Sequence, residues 1–192
     1  MLDKVLTFFA DEINAYLQAR TGDNDEIIVL SPIVDETGKY ASDNDTVAIN
    51  IINIEEETAL KDQLPEYAFK SGQHVVLEPS LKLNLFIMFA ANFRFYDQAL
   101  KYISHILTYF QGHRLFTPTQ YPALSDDDGV IERLAVELQK LNYDQLNQIW
   151  AYIGGKQLPS VIYKVRLVSV QDQAQTDVQP PISIIQTQSR GL

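Results

Sequence analysis

Apolar residues from Leu81 to Ala91 alternate with a period of two, which predicts an extended strand. The residues on one face are Leu81, Leu83, Leu85, Ile87 and Phe89, and those on the other are Lys82, Asn84, Phe86, Met88 and Ala90. The second half of this strand is apolar on both faces, as is typical of a strand inside a sheet. A helical pattern follows almost at once, so we predict that this strand and that helix form the centre of the domain.

Three stretches carry apolar residues at three- and four-residue spacing, which predicts amphipathic helices. The predicted helices and the glycines expected to end them are Leu2–Arg20 with Gly22, about Tyr96–Phe110 with Gly112, and Asn142–Ile153 with Gly154 and Gly155. Asn142 and Gln145 have the spacing of a capping box at the start of the third helix. The predicted buried stripe of the second helix is Ala99, Leu100, Ile103, Ile106, Leu107 and Phe110.

Other stretches are rich in β-branched and alternating residues, which predicts further strands. The clearest are Ile27–Leu30, Thr46–Glu55 and Pro159–Val170. The stretch Val130–Leu141 fits both a strand and a helix, and we predict a strand because a new helix begins directly after it. These elements predict an α+β domain with a small mixed, largely antiparallel sheet flanked by about three helices.

Two long connections show little periodicity, and we predict that both are loops. Thr58–Pro79 contains two prolines and Gly72, and Leu115–Asp128 contains Pro118 and Pro122. A connection as long as the first is usually functional or mobile in a compact domain. It is therefore where we first expect a partner surface.

Composition narrows the class of protein. A chain of 192 residues suits one domain with a substantial core, and it contains no cysteine, which excludes a disulfide framework and a thiolate metal site. The formal net charge is -10, which argues against non-specific nucleic-acid binding and against binding to anionic membranes. No apolar run is long enough for a transmembrane helix, and acidic residues interrupt the N-terminal apolar residues, so we expect no secretory signal.

Candidate chemistry is weak throughout the chain. Phosphate-binding, dinucleotide-binding, metalloprotease and hydrolase motifs are absent, and His74, His105 and His113 have no neighbours at ligand spacing. The acidic run Asp126–Asp128 lacks the alternating acids of a calcium-binding EF-hand loop. We therefore predict no catalytic, cofactor-binding or metal-binding residues and no cofactor, so the chain is not expected to be an enzyme. A small ligand-binding or hydrolase domain is the alternative from a different class.

The composition changes at Gln171, where a glutamine-rich stretch begins. We predict one domain over residues 1–170 and an extended C-terminal arm over residues 171–192, because the arm is too polar to fold alone. Within the arm, Pro180 and Pro181 precede a small apolar island at Ile182, Ile184 and Ile185. We hypothesise that Gln179–Gln188 adds as a strand to a sheet of a neighbouring partner subunit.

Three stretches together resemble a known family. They are Asn50–Glu57 (NIINIEEE), Leu81–Gln111 and Leu146–Val170. With the N-terminal helix, they are similar to the uncharacterised-domain family found as the N-terminal part of the cap, or tail-terminator, protein of extracellular contractile injection systems. The likeness runs from about Leu2 to Val170 and consists of packing motifs, which transfer no catalytic role.

The resemblance implies a fold like that of phage tail terminators and a structural function. Members of this family are expected to form a six-membered ring on the end of the tube and sheath distal to the baseplate. The ring stops polymerisation and holds the extended sheath. The implied partners are other copies in a homohexamer, the sheath protein and the inner-tube protein, with no nucleic acid and no membrane. The alternative within this class is a tail terminator or completion protein of a contractile-tailed phage.

The implied location is the bacterial cytoplasm during assembly and then the released extracellular or membrane-docked particle. The residues predicted to lie in partner interfaces are Glu55, Glu56, Glu57, Gln63, Pro65, Tyr67, Phe69, Pro180, Pro181, Ile182, Ile184 and Ile185. For the three glutamates, a solvated strand end is the alternative to a charged docking edge. We hypothesise that the Thr58–Pro79 segment contacts the tube or the adjacent subunit, and that the partner subunit of Gln179–Gln188 is a sheath or a cap subunit.

Overall fold

The structure, a computed structural model, describes residues 2–22, 24–58, 66–70, 73–77, 81–125, 131, 133–170 and 177–179. Of these, 66–70, 73–77, 167–170 and 177–179 are described by their backbone. The helices in this part of the chain are α1 (Leu2–Thr21), α2 (Tyr96–Gly112) and α3 (Tyr143–Ile153). All three predicted helices are therefore confirmed.

Strands form a six-stranded main sheet and a three-stranded small sheet in the described residues. The strands are β1 (Ile28–Leu30), β2 (Thr46–Glu56), β3 (Glu66–Lys70), β4 (Gln73–Leu77), β5 (Leu81–Asn92), β6 (Leu115–Phe116), β7 (Leu134–Leu138), β8 (Ser160–Val170) and β9 (Asp177–Gln179). The main sheet has the order β1-β2-β5-β8-β7-β6, with β1 parallel to β2 and the other pairs antiparallel. This confirms the α+β class, the mixed sheet and the strand prediction for Leu134–Leu138.

The strand β5 lies between β2 and β8 and separates two apolar cores. Leu85, Ile87 and Phe89 face α1 and α2 in the larger core, whereas Met88 and Ala90 pack with Trp150 of α3 in the smaller core. The pattern of alternating apolar residues predicted this arrangement. The central position of the Leu81–Ala91 strand is confirmed.

Edge-to-face and tilted aromatic contacts fill the larger core. The ring of Phe116 lies 5.6 Å from that of Phe8, 5.4 Å from that of Phe9 and 5.1 Å from that of Tyr121, between centroids. Phe116 belongs to the two-residue strand β6, and a 3-10 turn over Pro122–Leu124 follows it. The loop prediction for Leu115–Asp128 is therefore wrong at these two short elements; residues 126–128 lie outside the described part.

The buried face of α2 is rotated from the predicted stripe. Leu100 and Leu107 are 44% and 36% exposed, whereas Tyr102 and Tyr109 are buried. Tyr109 faces α1, where its ring lies 5.2 Å from that of Tyr16. Because α1 packs on the tyrosine flank of the helix, the leucine flank is left facing solvent.

The prediction of an irregular connection over Thr58–Pro79 is wrong. β3 and β4 form an antiparallel hairpin within it, and β9 pairs antiparallel with β4. The two prolines and Gly72 bracket these short strands along the sequence, which made the segment resemble a loop. In the sequence β3 follows β2, β4 precedes β5 and β9 follows β8, and all three connections start from the same end of the main sheet. The order β3-β4-β9 therefore repeats the order β2-β5-β8.

Polar side chains form hydrogen bonds with backbone groups at the start of α3 and at the β1 edge of the main sheet. The capping box of α3 is confirmed, because Asn142 Oδ1 accepts from Gln145 N at 2.8 Å and Asn142 N donates to Gln145 Oε1 at 3.0 Å. Gly154 then ends α3 in the left-handed region, at φ 80°. At the β1 edge, buried Asn14 accepts from Ile27 N and Ile28 N and donates to Ile28 O, at 3.1, 2.9 and 3.0 Å.

Two buried tyrosines make the stability of the fold depend on pH in the alkaline range. Burial raises the pKa of Tyr163 from 10.0 to about 12, and burial together with the charge of Glu12 also raises the pKa of Tyr109. The folded chain therefore holds these protons more tightly than the unfolded chain does, so their contribution is complete below about pH 10 and is lost as pH rises toward 12.

We expect the urea midpoint of unfolding to be flat to about pH 9 and to fall between about pH 10 and 12. Tyr163→Phe should reduce that fall, because phenylalanine has no proton to lose. Tyr143→Phe at an exposed position is the matched control and should leave the pH profile unchanged. A Tyr163→Phe profile identical to that of the parent chain would contradict this assignment.

Candidate assembly interface

In the described part of the chain, α3 covers only part of one face of the main sheet. α3 has 11 residues, against 20 and 17 for α1 and α2 on the opposite face. Beside it an open groove of about 1120 Å³ runs over β2, β5 and β8, and we call it the α3 groove. Its lining includes Ile52, Phe86, Ile162 and Lys164 from the sheet and Gln145, Gln148, Ile149 and Tyr152 from α3.

The floor of the α3 groove combines apolar and cationic side chains. The ammonium of Lys164 lies 5.5 Å from the centroid of the Phe86 ring, a cation–π geometry. Nearby, Arg166 Nη2 donates to Glu137 Oε2 at 2.8 Å on the surface of the sheet. Such a mixture of aromatic, amide and charged groups resembles a protein-contact surface more than a small-molecule pocket.

Exposed aromatic side chains mark the same side of the molecule. Tyr143 and Tyr152, near the two ends of α3, are 91% and 90% exposed. Tyrosine is enriched at protein interfaces because it contributes a large rigid area and a hydroxyl group. Neither residue was among those that the sequence predicted to lie in partner interfaces. The available signal was that Tyr152 lies outside the apolar stripe of α3.

The acidic run Glu55–Glu57 lies where β2 ends. Glu55 Oε1 accepts from Asn53 Nδ2 at 3.0 Å, and Glu57 Oε2 accepts from the buried Asn84 Nδ2 at 3.0 Å. Glu57 therefore helps to satisfy a buried amide, whereas Glu55 and Glu56 are exposed. This end of the main sheet is also the end from which the small sheet is connected.

The other predicted interface residues fall in or around the small sheet. Tyr67 and Phe69 are alternate residues of β3, opposite Val76 and His74 of β4 in the register. Gln63, Pro65, Pro180, Pro181, Ile182, Ile184 and Ile185 lie outside the described residues. Because β4 separates β3 from β9, the aromatic positions of β3 and the residues of β9 lie on opposite sides of β4.

The histidines that the structure describes with their side chains are not gathered into a chemical site. His105 is half-buried on α2, where burial, and then the charges of Lys101 and Arg20, lower its pKa. His113 stacks on Tyr109 beyond the end of α2. Within the described residues, no group of three or more histidine, aspartate or glutamate side chains could hold a metal ion.

None of the helices described here is long and apolar enough to cross a membrane.

The fold defines a class, that of proteins built like the terminators of contractile particles. One similar solved structure is the sheath/tube terminator of an extracellular contractile injection system, PVC, in the extended state, with a TM-score of 0.62, 16% identity, and coverage of 94% of this chain and 62% of that chain. Another is the tube terminating cap of the anti-feeding prophage, with a TM-score of 0.58, 15% identity, and coverage of 86% and 55%. The chain thus spans less than two thirds of either protein.

The family model of the Pvc16 N-terminal domain matches residues 4–184. The chain belongs to the Pvc16 N-terminal domain family. The three stretches that carry the resemblance lie within this match, and so does β9, so the family assignment made from sequence is confirmed. No curated protein matches the sequence.

Proposed function

We propose that the chain is a structural cap that ends the tube and sheath of a contractile injection system. The observation that supports this most is the shared fold, which covers 94% of the chain in the PVC terminator and 86% in the anti-feeding prophage cap. The partners proposed here are the sheath and inner-tube proteins of the particle. The role is structural rather than catalytic: the open surface resembles a contact surface, and the two similar structures are terminators.

A cap on a tubular particle has to match the rotational symmetry of the tube. We therefore propose a closed ring of copies, six in number as the family resemblance implies, held by head-to-tail contacts. Assembly in the bacterial cytoplasm, followed by residence in the extracellular or membrane-docked particle, belongs to the same proposal. The acidic residues Glu55 and Glu56 and the small sheet are the parts of the chain assigned to these contacts.

Particle length tests the capping function. Sheath and tube subunits are polymerised with and without the purified chain, and lengths are measured by negative-stain microscopy. A terminator should shorten the particles and narrow their length distribution as its concentration rises. An unchanged distribution at a saturating concentration of the chain would contradict the proposed function.

The α3 groove is the surface that we assign to particle contact. Tyr152→Ala should weaken binding to particle ends by about ten- to thirtyfold, because truncating an interface tyrosine at a hot spot costs roughly 2 kcal/mol. The matched control is Tyr96→Ala, which removes an exposed tyrosine from the start of α2 on the other side of the sheet. Equal binding by the two variants, measured by co-sedimentation with particles, would remove the α3 groove from the interface.

A further inference from the structure

Among the described residues, β3 is an outer strand of the small sheet. β3 pairs with β4 along its whole length, from Glu66 opposite Leu77 to Lys70 opposite Gln73. No strand in the described part of the chain pairs with its other side. In an antiparallel pair, alternate residues direct their N–H and C=O groups outward, so this edge can accept another strand.

On the opposite side of β4, β9 pairs with only part of the strand. β9 covers β4 from Val76 to His74 and ends at Gln179. The next position would bring Pro180 opposite Gln73, the first residue of β4. Pro180 and Pro181 have no N–H group to donate, so they cannot act as donors in a continued ladder with β4.

The residues after these prolines have the composition of a strand that lacks a partner. Ile182, Ile184 and Ile185 are β-branched, and the sequence Ile182–Gln186 contains no glycine or proline. Within one chain, β9 and β3 lie two strand spacings apart, about 10 Å. In the small sheet β4 lies between β9 and β3, so the β3 edge of a second copy can take this segment without a crossing over its own β4.

We propose that Ile182–Gln186 of one copy pairs with the free edge of β3 in a second copy. The donor segment follows β9 in the sequence, and the acceptor edge is on the β3 side of the small sheet. Each copy therefore gives one strand and receives one, which is the head-to-tail arrangement that closes into a ring. This inference rests on the proposed cap function, since it identifies the contact that joins neighbouring copies.

Cysteine cross-linking tests the proposal directly, because the chain contains no cysteine of its own. Ala68→Cys at the middle of β3 is combined in the full-length chain with Ile182→Cys, Ser183→Cys or Ile184→Cys, which together cover the possible registers. The matched control replaces Ala68→Cys by Leu30→Cys, at an exposed residue of the β1 edge strand in the main sheet. Mild oxidation is followed by gel electrophoresis without reductant.

We expect disulfide-linked multimers from at least one of the Ala68→Cys pairs. Their yield should exceed that of the Leu30→Cys control by about tenfold or more, because paired strands hold Cα atoms within the roughly 4.4–6.8 Å range that a disulfide requires. Mixing two chains that each carry one of the two cysteines should give dimers and no higher species. Thermal unfolding of each reduced variant checks that the substitutions preserve the fold.

Three results would overturn the proposal: no cross-link in any register, a yield equal to that of the Leu30→Cys control, or a cross-link confined within single chains. The particle-length assay keeps this outcome separate from the cap function. Chains that fail to cross-link but still shorten particles would leave the cap function in place and remove only the strand exchange. Chains that cross-link as expected but leave particle length unchanged would leave the strand exchange in place and remove the cap function.

Discussion

Replacing Phe116 by alanine is expected to lower the free energy of unfolding by about 3–5 kcal/mol, which is the usual range when a fully buried phenylalanine is truncated. Phe116 has no exposed surface, and its ring contacts those of Phe8, Phe9 and Tyr121. These residues come from α1 and from the turn after β6, so the cavity would open where distant parts of the chain meet. Urea denaturation of the purified variant measures the loss.

Leu115→Ala is the matched control for this experiment. Leu115 is the neighbouring residue of β6, but its side chain is 50% exposed and points to the other face of the strand. Its truncation should lower the free energy of unfolding by at most about 1 kcal/mol. If the two variants lost similar amounts, the assignment of Phe116 to the centre of the larger core would be wrong.

Asn14→Leu is expected to lower the free energy of unfolding by about 2–4 kcal/mol. Leucine has the same branching and the same number of side-chain heavy atoms, but it leaves Ile27 N, Ile28 N and Ile28 O without the hydrogen bonds that Asn14 provides. A buried polar group without a partner costs about 1–3 kcal/mol, and here three backbone groups at a sheet edge lose their partner together. Hydrogen exchange of the Ile27 and Ile28 amides should speed up in parallel.

The control for Asn14→Leu is Asn147→Leu, at an exposed position of α3. It makes the same chemical change away from any buried backbone group and should alter stability by no more than about 0.5 kcal/mol. A small effect at both positions would show that water can replace the Asn14 amide at the β1 edge.

Long periodic elements could be predicted from the sequence, because burial on one face leaves a regular pattern. This holds for α1 and for the central strand β5. The Asn142 capping box could also be predicted, from its residue types and their spacing. Short elements could not be predicted in this way. The two residues of β6 are too few to show a period, so the burial of Phe116 was not visible, although it joins α1, α2 and the turn at Tyr121.

Where the sequence pattern misled, the cause was a contact with a distant part of the chain. Leu100 and Leu107 fit the apolar stripe of α2, but α1 packs against Tyr109 on the other flank. Asn14 looked like one polar residue of an amphipathic helix, and only the position of β1 beside it gives it a role.

Among the interface predictions, the structure adds most at the small sheet. Tyr67 and Phe69 were predicted to lie in a loop and instead belong to β3, whose free edge is the proposed acceptor of a neighbouring strand. The acidic residues Glu55 and Glu56 lie at the adjoining end of the main sheet. This sheet edge was not predicted from the sequence, because short strands separated by proline and glycine show no regular pattern.

Electron microscopy of extended sheath–tube particles incubated with the purified chain tests the central claim most directly. A terminator should appear as ring-shaped density closing the end of the particle distal to the baseplate, with none along the shaft or at the baseplate. Particles whose ends stay open at a saturating concentration of the chain, or density distributed along the sheath, would contradict a capping role.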